Sequence, residues 1–471
     1  MRRGDKMHRL LIDGKLVDGA RTMEVVNPAT GKAFASCARA DAQQLDDAVA
    51  AAKAAFPAWA ARPFAERRQL LESYADAIDA RKDEFARLLT REQGKPLPQA
   101  AYEMEGAIAL LRTFAAMELG LEEIRDDGAT RLIRQWSPLG VVAAITPWNF
   151  PMLLLMMKLA PALSAGNTMV AKPAPTTPLT TLLLGEVAAT ILPPGVLNII
   201  VDDNDLGRQL TTHPDVAKVS FTGSTATGKK VMHSVADTLK RLTLELGGND
   251  AAIVLDDADV DVVAPAIFQA ATLNAGQICL AAKRVYAPAS LYDALCDALA
   301  KLAADAVVDD GDKQGTQIGP IQNRAQFEKL KEFLDDAHSS GSVIAGGAPL
   351  DRDGYFIAPT IVKDIGDDAR LVRDEQFGPI LPILAYDTIE DAIVRANDSE
   401  YGLGGTIWTS NPERAIAVAL QIDSGTVWIN KHLDLPFDVP FGGAKQSGFG
   451  AELGREGLEE FTQSKIVNVA L

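Results

Sequence analysis

Gly140-Val-Val-Ala-Ala-Ile-Thr-Pro147, Asn167-Thr-Met-Val-Ala-Lys-Pro-Ala174, Gly195-Val-Leu-Asn-Ile-Ile-Val-Asp-Asp203 and Val216-Ala-Lys-Val-Ser-Phe-Thr-Gly223 are short apolar runs, separated by helix-length segments. Runs this short, rich in β-branched residues and ended by Pro, Gly or Asn, read as strands buried on both faces. Their alternation with helical segments is the pattern of a parallel α/β sheet. Upstream, from Leu45 to about Glu122, apolar residues recur at three and four positions, as in LDDAVAAAKAAFPAWA and RRQLLESYADAIDARKDEFARLL, which predicts long amphipathic helices. Downstream, AAIVLDD from Ala251, RVYAP, APTIV, PILPILAYD, GGTIWTS and TVWIN ending at Asn430 predict a second α/β domain. The Gly247-Gly248 pair marks the expected boundary between the two.

A chain of 471 residues with 47% hydrophobic and 23% charged residues is long enough for two or three cores. The net charge of −17 and the lack of a polybasic run argue against a nucleic-acid partner. Three scattered cysteines, Cys37, Cys279 and Cys296, do not make a disulfide framework and suit a reducing compartment, so the expected location is cytoplasmic. MRRGDKMHRLLIDGK has only a very short apolar stretch, unlike a signal peptide. The most apolar segment, Pro151 to Leu163, is interrupted by Lys158 and is too short to span a membrane. The five histidines never fall at metal-ligand spacing and no CxxC occurs, so no metal site is expected.

Gly223-Ser-Thr-Ala-Thr-Gly228-Lys229-Lys230 follows a strand-like run and leads into a helix. Free backbone N–H groups and the positive end of the helix dipole converge at such a turn and favour phosphate. The string also approaches GxxxxGK[ST], with AAIVLDD downstream as an aspartate-bearing strand, but Lys230 stands where a P-loop needs a magnesium-binding hydroxyl. A P-loop NTPase is therefore a remote alternative, and a structural turn a plainer one. Gly448-Phe-Gly450 with Gly454 follows no evident strand and reads as a turn in a loop.

Three side chains stand out. Cys279 lies among small residues in NAGQICLAAKR; a lone buried cysteine is ordinarily a small core hydrophobe, and Cys296 sits at a core-facing helical spacing. Glu245 ends the apolar run RLTLE before Gly247-Gly248, where a carboxylate is either a desolvated general base or half of a buried ion pair. Asn149 sits in ITPWNFPMLL between Trp148 and Phe150, as an amide donor to a developing oxyanion or as a helix N-cap before Pro151.

Taken together, PWNFP, AGNTMVAKPA, FTGSTATGKK, LELGG, GQICLAAKR, EQFGPILP and PFGGAKQSG closely resemble, in order and over nearly the whole chain, the aldehyde dehydrogenase superfamily. The resemblance implies a Rossmann-like cofactor domain from residues 1–119 and 139–247, a catalytic domain from 248–441, and bridging or oligomerising segments at 120–138 and 442–471. It implies a homodimer or homotetramer. It assigns Cys279 as nucleophile, Glu245 as base and Asn149, with the Cys279 backbone N–H, as oxyanion donor. The aldehyde would become a thioester on Cys279, hydride passing to nicotinamide, and water activated by Glu245 would release the acid. For the cofactor it assigns Lys172 to the adenosine ribose, Gly223 and Ser224 to the pyrophosphate, and Glu375 with Phe377 to the nicotinamide ribose. Thr146, Trp148, Thr227 and Leu246 would line the same groove. Lys158 matches a family lysine near the active site, although a helix-surface lysine paired with a neighbour is the plainer reading.

One departure bears on the cofactor. Many NAD-preferring relatives carry a glutamate where this chain has Pro175, so nothing evident repels a 2′-phosphate and no added arginine invites one. NAD is expected, with NADP open. An apolar lining near Leu154, Met157, Ile278, Leu280, Leu433, Leu435 and Phe437 points to an aliphatic or aromatic aldehyde. A semialdehyde acid is the alternative, with only Lys431 and His432 nearby as cations. Acylating relatives, which pass the acyl group to coenzyme A, should not need Glu245. A non-catalytic role fits poorly with three catalytic side chains in place. The terminal KIVNVAL would leave a sticky strand edge, for another subunit or for an internal partner to cover.

Overall fold

The computed structural model describes residues 7–471. The early helical periodicity resolves into four helices, Ala42–Ala60, Phe64–Asp79, Lys82–Gln93 and Leu97–Ala116. Each buries an apolar stripe: Leu45, Ala48, Val49 and Ala52 on the first, Met104, Ala107, Ile108 and Leu111 on the last.

The four opening runs become the strands Val141–Ile145, Thr168–Lys172, Leu197–Ile199 and Val216–Thr222, and RLTLE becomes Arg241–Glu245. They lie side by side and parallel, in the order Leu197–Ile199, Thr168–Lys172, Val141–Ile145, Val216–Thr222, Arg241–Glu245. The chain starts in the middle, winds outward to one edge, and returns to build the other side. The order therefore reverses between Val141–Ile145 and Val216–Thr222, and a crevice opens there beyond the carboxyl ends of the strands. Antiparallel strands cap the two edges: Leu10–Ile12 with Lys15–Val17 on one side, and Gly448–Phe449 on the other. The N-terminal stretch compared with a signal peptide begins outside the described residues, and from Leu10 it is strand.

The Gly448-Phe-Gly450 turn expected from the sequence is thus corrected to a short strand, Leu244 facing Phe449 and Glu245 facing Gly448. At Gly448, φ is +124° and a Cβ would stand 1.9 Å from the Leu244 carbonyl oxygen, so only glycine brings this loop onto the sheet.

A second sheet of seven strands carries the later runs, from Asp250–Val254 through Thr426–Ile429. Its central strands Ile380–Tyr386, Ala282–Pro288, Asp250–Val254 and Gly404–Trp408 are parallel. Three more strands, Glu122–Asp126, Thr130–Pro138 and Thr462–Ala470, form a separate sheet. The terminal strand pairs antiparallel with Thr130–Pro138 over its full length, so one edge has an internal partner. Its other edge is unpaired among the described residues, and Ile466, Val467 and Val469 are exposed. No helix among the described residues is long and apolar enough to cross a membrane.

Candidate active site

At the reversal of strand order the chain encloses a cavity of about 1130 Å³. The strand ends supply its walls: Thr146, Trp148 and Asn149 after the first run, Lys172 at the end of the second, Gly223 and Ser224 after the fourth, and Leu246 after Glu245. Thr227 reaches it from the helix Thr225–Val235, Cys279 from the start of the second α/β unit, and Glu375 and Phe377 from a loop of that unit. Of the catalytic and cofactor residues expected from the sequence, all line this one cavity except Glu245, which is buried; of the expected substrate lining, Leu154 does and Met157, Ile278, Leu280, Leu433, Leu435 and Phe437 do not.

The outer part is a backbone site. Ser224 caps the helix Thr225–Val235, its Oγ accepting from Thr227 N at 3.3 Å. Gly223 N donates to the Glu245 carbonyl at 3.0 Å, which ties the turn to the neighbouring strand. A Cβ at Gly228 would stand 2.5 Å from Leu246 Cδ2, so that glycine lets the helix close on the strand. Lys172 is nearly buried and pairs with Asp202 Oδ1 at 2.6 Å, which fixes its ammonium at the cavity wall. The P-loop alternative fails here. AAIVLDD belongs to the other sheet, where Asp257 accepts the Thr409 and Ser410 hydroxyls and Asp256 pairs with Arg414.

The inner part is built from side chains. Pro151 opens the helix Pro151–Ala165, and the N–H groups of Met152 and Leu153 donate to Glu103 Oε1 at 2.9 and 3.2 Å. Glu103 therefore takes the capping role, and the N-cap alternative for Asn149 is corrected. Glu103 pairs with Lys95, both side chains fully buried, and Lys95 Nζ donates to the Asn149 carbonyl at 2.9 Å. The Asn149 amide donates to the Gln277 carbonyl at 3.0 Å, two residues before Cys279. The Cys279 side chain is half-buried among apolar neighbours, and that burial pushes its thiol up to about 12.

Glu245 is 4% exposed and neither carboxyl oxygen has a hydrogen-bond partner. Burial holds its carboxyl well above the usual range; the neighbouring Glu452 charge adds to that and Lys158 opposes it. The ion pair that could have explained Glu245 is made by Glu452, whose Oε1 lies 2.5 Å from Lys158 Nζ. Lys158 also donates to Thr222 Oγ1 at 2.7 Å and is fully buried, so the helix-surface reading of Lys158 is corrected while its pairing with a neighbour stands.

Opposite, Glu375 Oε1 accepts from Gly248 N at 2.9 Å. Phe377 takes a left-handed φ of +55° and its ring meets Trp148 edge-on at 5.3 Å between centroids. The Gln326 amide donates to the Gln376 and Phe377 carbonyls, which holds that backbone in place. Glu103, Lys95, Glu452 and Lys283 escaped the sequence reading. Lys283 gave one signal, a lysine immediately before the run RVYAP, and the structure buries it against the Cys279 carbonyl.

An α/β chain with a crevice at the strand-order switch, a helix start suited to phosphate at one end and a cysteine, an amide and an unpaired carboxyl at the other has the architecture of a dinucleotide-dependent enzyme. Residues 16–467 match the model of the aldehyde dehydrogenase family. The aldehyde dehydrogenase LUC3 of Fusarium sp is 42% identical over 97% of both chains. The mitochondrial succinate-semialdehyde dehydrogenase of Arabidopsis thaliana is 38% identical over 97% of this chain and 88% of its own. The NAD+ complex of an aldehyde dehydrogenase from Bacillus cereus superposes with a TM-score of 0.96 at 35% identity, covering 99% of this chain and 97% of the other. The chain belongs to the aldehyde dehydrogenase family and is an NAD(P)-dependent oxidoreductase acting on aldehydes.

Proposed function

We propose that the chain oxidises an apolar aldehyde to its carboxylic acid through a thioester on Cys279, hydrolysed by water that Glu245 deprotonates. The observation that carries this reading is the Glu245 carboxyl, buried and unpartnered while Glu452 beside it takes the available lysine. A buried carboxyl without a partner is costly, and its raised proton affinity suits a general base near neutral pH. The Cys279 thiol gives its proton to water before attack. Asn149 and the Cys279 N–H hold the resulting alkoxide, and once hydride has left that carbon Glu245 takes the proton of the water that displaces Cys279 as thiolate, leaving the acid.

The cavity fits NAD. The N-terminus of the helix Thr225–Val235 with Gly223 and Ser224 suits the pyrophosphate, Lys172 the adenosine ribose, and Glu375 beside Phe377 the nicotinamide ribose. Thr146 Oγ1, buried and unpartnered, Trp148, Thr227 and Leu246 line the same space. When bound, NAD supplies the hydride acceptor. With Pro175 in place of a carboxylate, NADP is the arm of the test most informative about cofactor choice.

Support for an apolar substrate comes from the inner lining. Leu154 faces the cavity, Met157, Ile278 and Leu280 are buried behind it, and Leu433, Leu435 and Phe437 pack on the same apolar cluster as Cys279. The two cations nearby are spent: burial pushes His432 down to about 4, leaving it neutral at pH 7, and Lys431 pairs with Asp434 at 2.5 Å. We further propose that the two large sheets are the cofactor and catalytic domains, meeting near Gly247. The exposed edge of Thr462–Ala470 builds a homodimer or homotetramer, and the free thiols suit the cytoplasm. A monomer on size-exclusion chromatography would remove the assembly claim.

The test is reduced-cofactor formation with hexanal, benzaldehyde and succinic semialdehyde, with NAD and NADP separately and with coenzyme A added. Turnover of the apolar aldehydes, unaffected by coenzyme A, is expected. Equal turnover of succinic semialdehyde would remove the apolar-lining argument, and dependence on coenzyme A would reassign Glu245.

A further inference from the structure

Cys279 sits on a turn in which Ala281 N donates to the Ile278 carbonyl at 3.1 Å. The two carbonyls of this turn, those of Ile278 and Cys279, accept from Lys283 Nζ at 2.8 and 2.5 Å. The Lys283 side chain is 2% exposed, and its ammonium stands 3.7 Å from Glu375 Oε1. The main chain of Lys283 is held as well, its carbonyl accepting from the Gln376 amide at 3.2 Å. This buried ammonium spends two of its three donors on the carbonyls of the two peptides that flank Cys279, so its charge is held within the turn that carries the thiol. Its presence is explained if the cysteine needs the charge.

We propose that Lys283 is a positioning residue for the Cys279 nucleophile: it clamps the Ile278–Ala281 turn and fixes a positive charge on the peptide that carries the thiol. The inference rests on the assignment of Cys279 as nucleophile. Clamping the Cys279 carbonyl orients the peptide plane of the turn. The charge favours thiolate over thiol in a site that otherwise favours thiol. The groups that face Cys279 make the point. Glu375, Asp250 and Glu245 all oppose its ionisation, and Lys283 is the cation acting for it. Asp250, pushed up to about 7 by burial against the pull of Lys283, accepts from Gly404 N and adds a second anion beside the same ammonium. His432, neutral near pH 7, contributes no charge there.

The experiment is the pH dependence of Cys279 alkylation by iodoacetamide in the full-length protein, located by peptide mass spectrometry to separate it from Cys37 and Cys296. Lys283→Met and Lys283→Gln remove the charge, and Lys283→Arg keeps it. Either neutral variant should slow Cys279 alkylation by about tenfold at each pH from about 7 to 9, where the small thiolate fraction limits the reaction, while arginine holds the rate near that of the wild type. A purely structural role would lower the fraction of folded, active protein and leave the alkylation rate of the folded fraction in place. Unchanged rates in both neutral variants overturn the proposal, whatever happens to turnover. Retained turnover in Cys279→Ala would instead remove the nucleophile assignment, with the alkylation result still reporting on Lys283.

Discussion

The two ends of the cavity are built by opposite means. At the proposed cofactor end, Gly223, Ser224 and Thr227 offer a turn and the exposed start of a helix, and the groups offered are largely backbone. At the proposed reacting end, Asn149 and Glu245 each have a fully buried charged pair beside them, Lys95 with Glu103 and Lys158 with Glu452, and Cys279 has the buried Lys283, 3.7 Å from the partly exposed Glu375. The difference is one of dielectric. Backbone N–H groups at a helix start work in contact with water and tolerate change in side chains. Groups that must hold or give up protons are enclosed, where burial sets their affinity and a neighbouring charge has leverage. Substitution at the inner end should therefore change rate, and at the outer end cofactor affinity.

The largest effect belongs to Cys279→Ala, which should abolish reduced-cofactor formation, by at least about a thousandfold, with cofactor binding retained in a fluorescence titration. Asn149→Ala should lower kcat by about a hundredfold with little change in cofactor KM, as measured by steady-state kinetics. A loss expressed mainly in cofactor KM would put Asn149 on the wrong side of the comparison.

Protonation sharpens the contrast. In the proposed mechanism Glu245 and Cys279 both act in their deprotonated forms, and burial raises both, the thiol to about 12. Activity should thus climb through neutral pH and still be rising near pH 9, whereas an ordinary carboxyl would have reached its plateau by about pH 6. A pH–rate profile flat above about pH 6 would show that burial does not govern the inner end. The smallest effect belongs to Ser224→Ala, which should raise the KM for NAD a few-fold, leave kcat alone and cost about 1 kcal/mol in thermal stability through the lost helix cap.

Legibility in the sequence follows the same division. Parallel strands covered on both faces are mostly apolar on both, so VVAAI, TMVAK and VAKVSFT were readable despite the buried Lys172 and Lys218. The glycine turn was readable because a helix start must be preceded by residues that expose its N–H groups. The partners behind the reacting groups were not. Lys158 and Glu452 are 294 residues apart, and nothing local to either sequence announces that they meet. Pro151-Met-Leu-Leu-Leu-Met-Met-Lys gave Lys158 the look of a surface residue, because a lysine in an apolar helix ordinarily escapes to water. Gly448 looked like a loop for a similar reason: a two-residue strand has no periodicity, and its place is set by Leu244 and Glu245 on the other partner.

The central claim is that a thioester forms on Cys279 and that Glu245 is needed to hydrolyse it. Its most direct test is the mass of the Cys279 peptide from Glu245→Gln after mixing with hexanal and NAD and quenching in acid. The account predicts one burst of reduced cofactor, slow turnover after it, and a peptide heavier by the hexanoyl group. Slow turnover without a burst, and with an unmodified peptide, would contradict it.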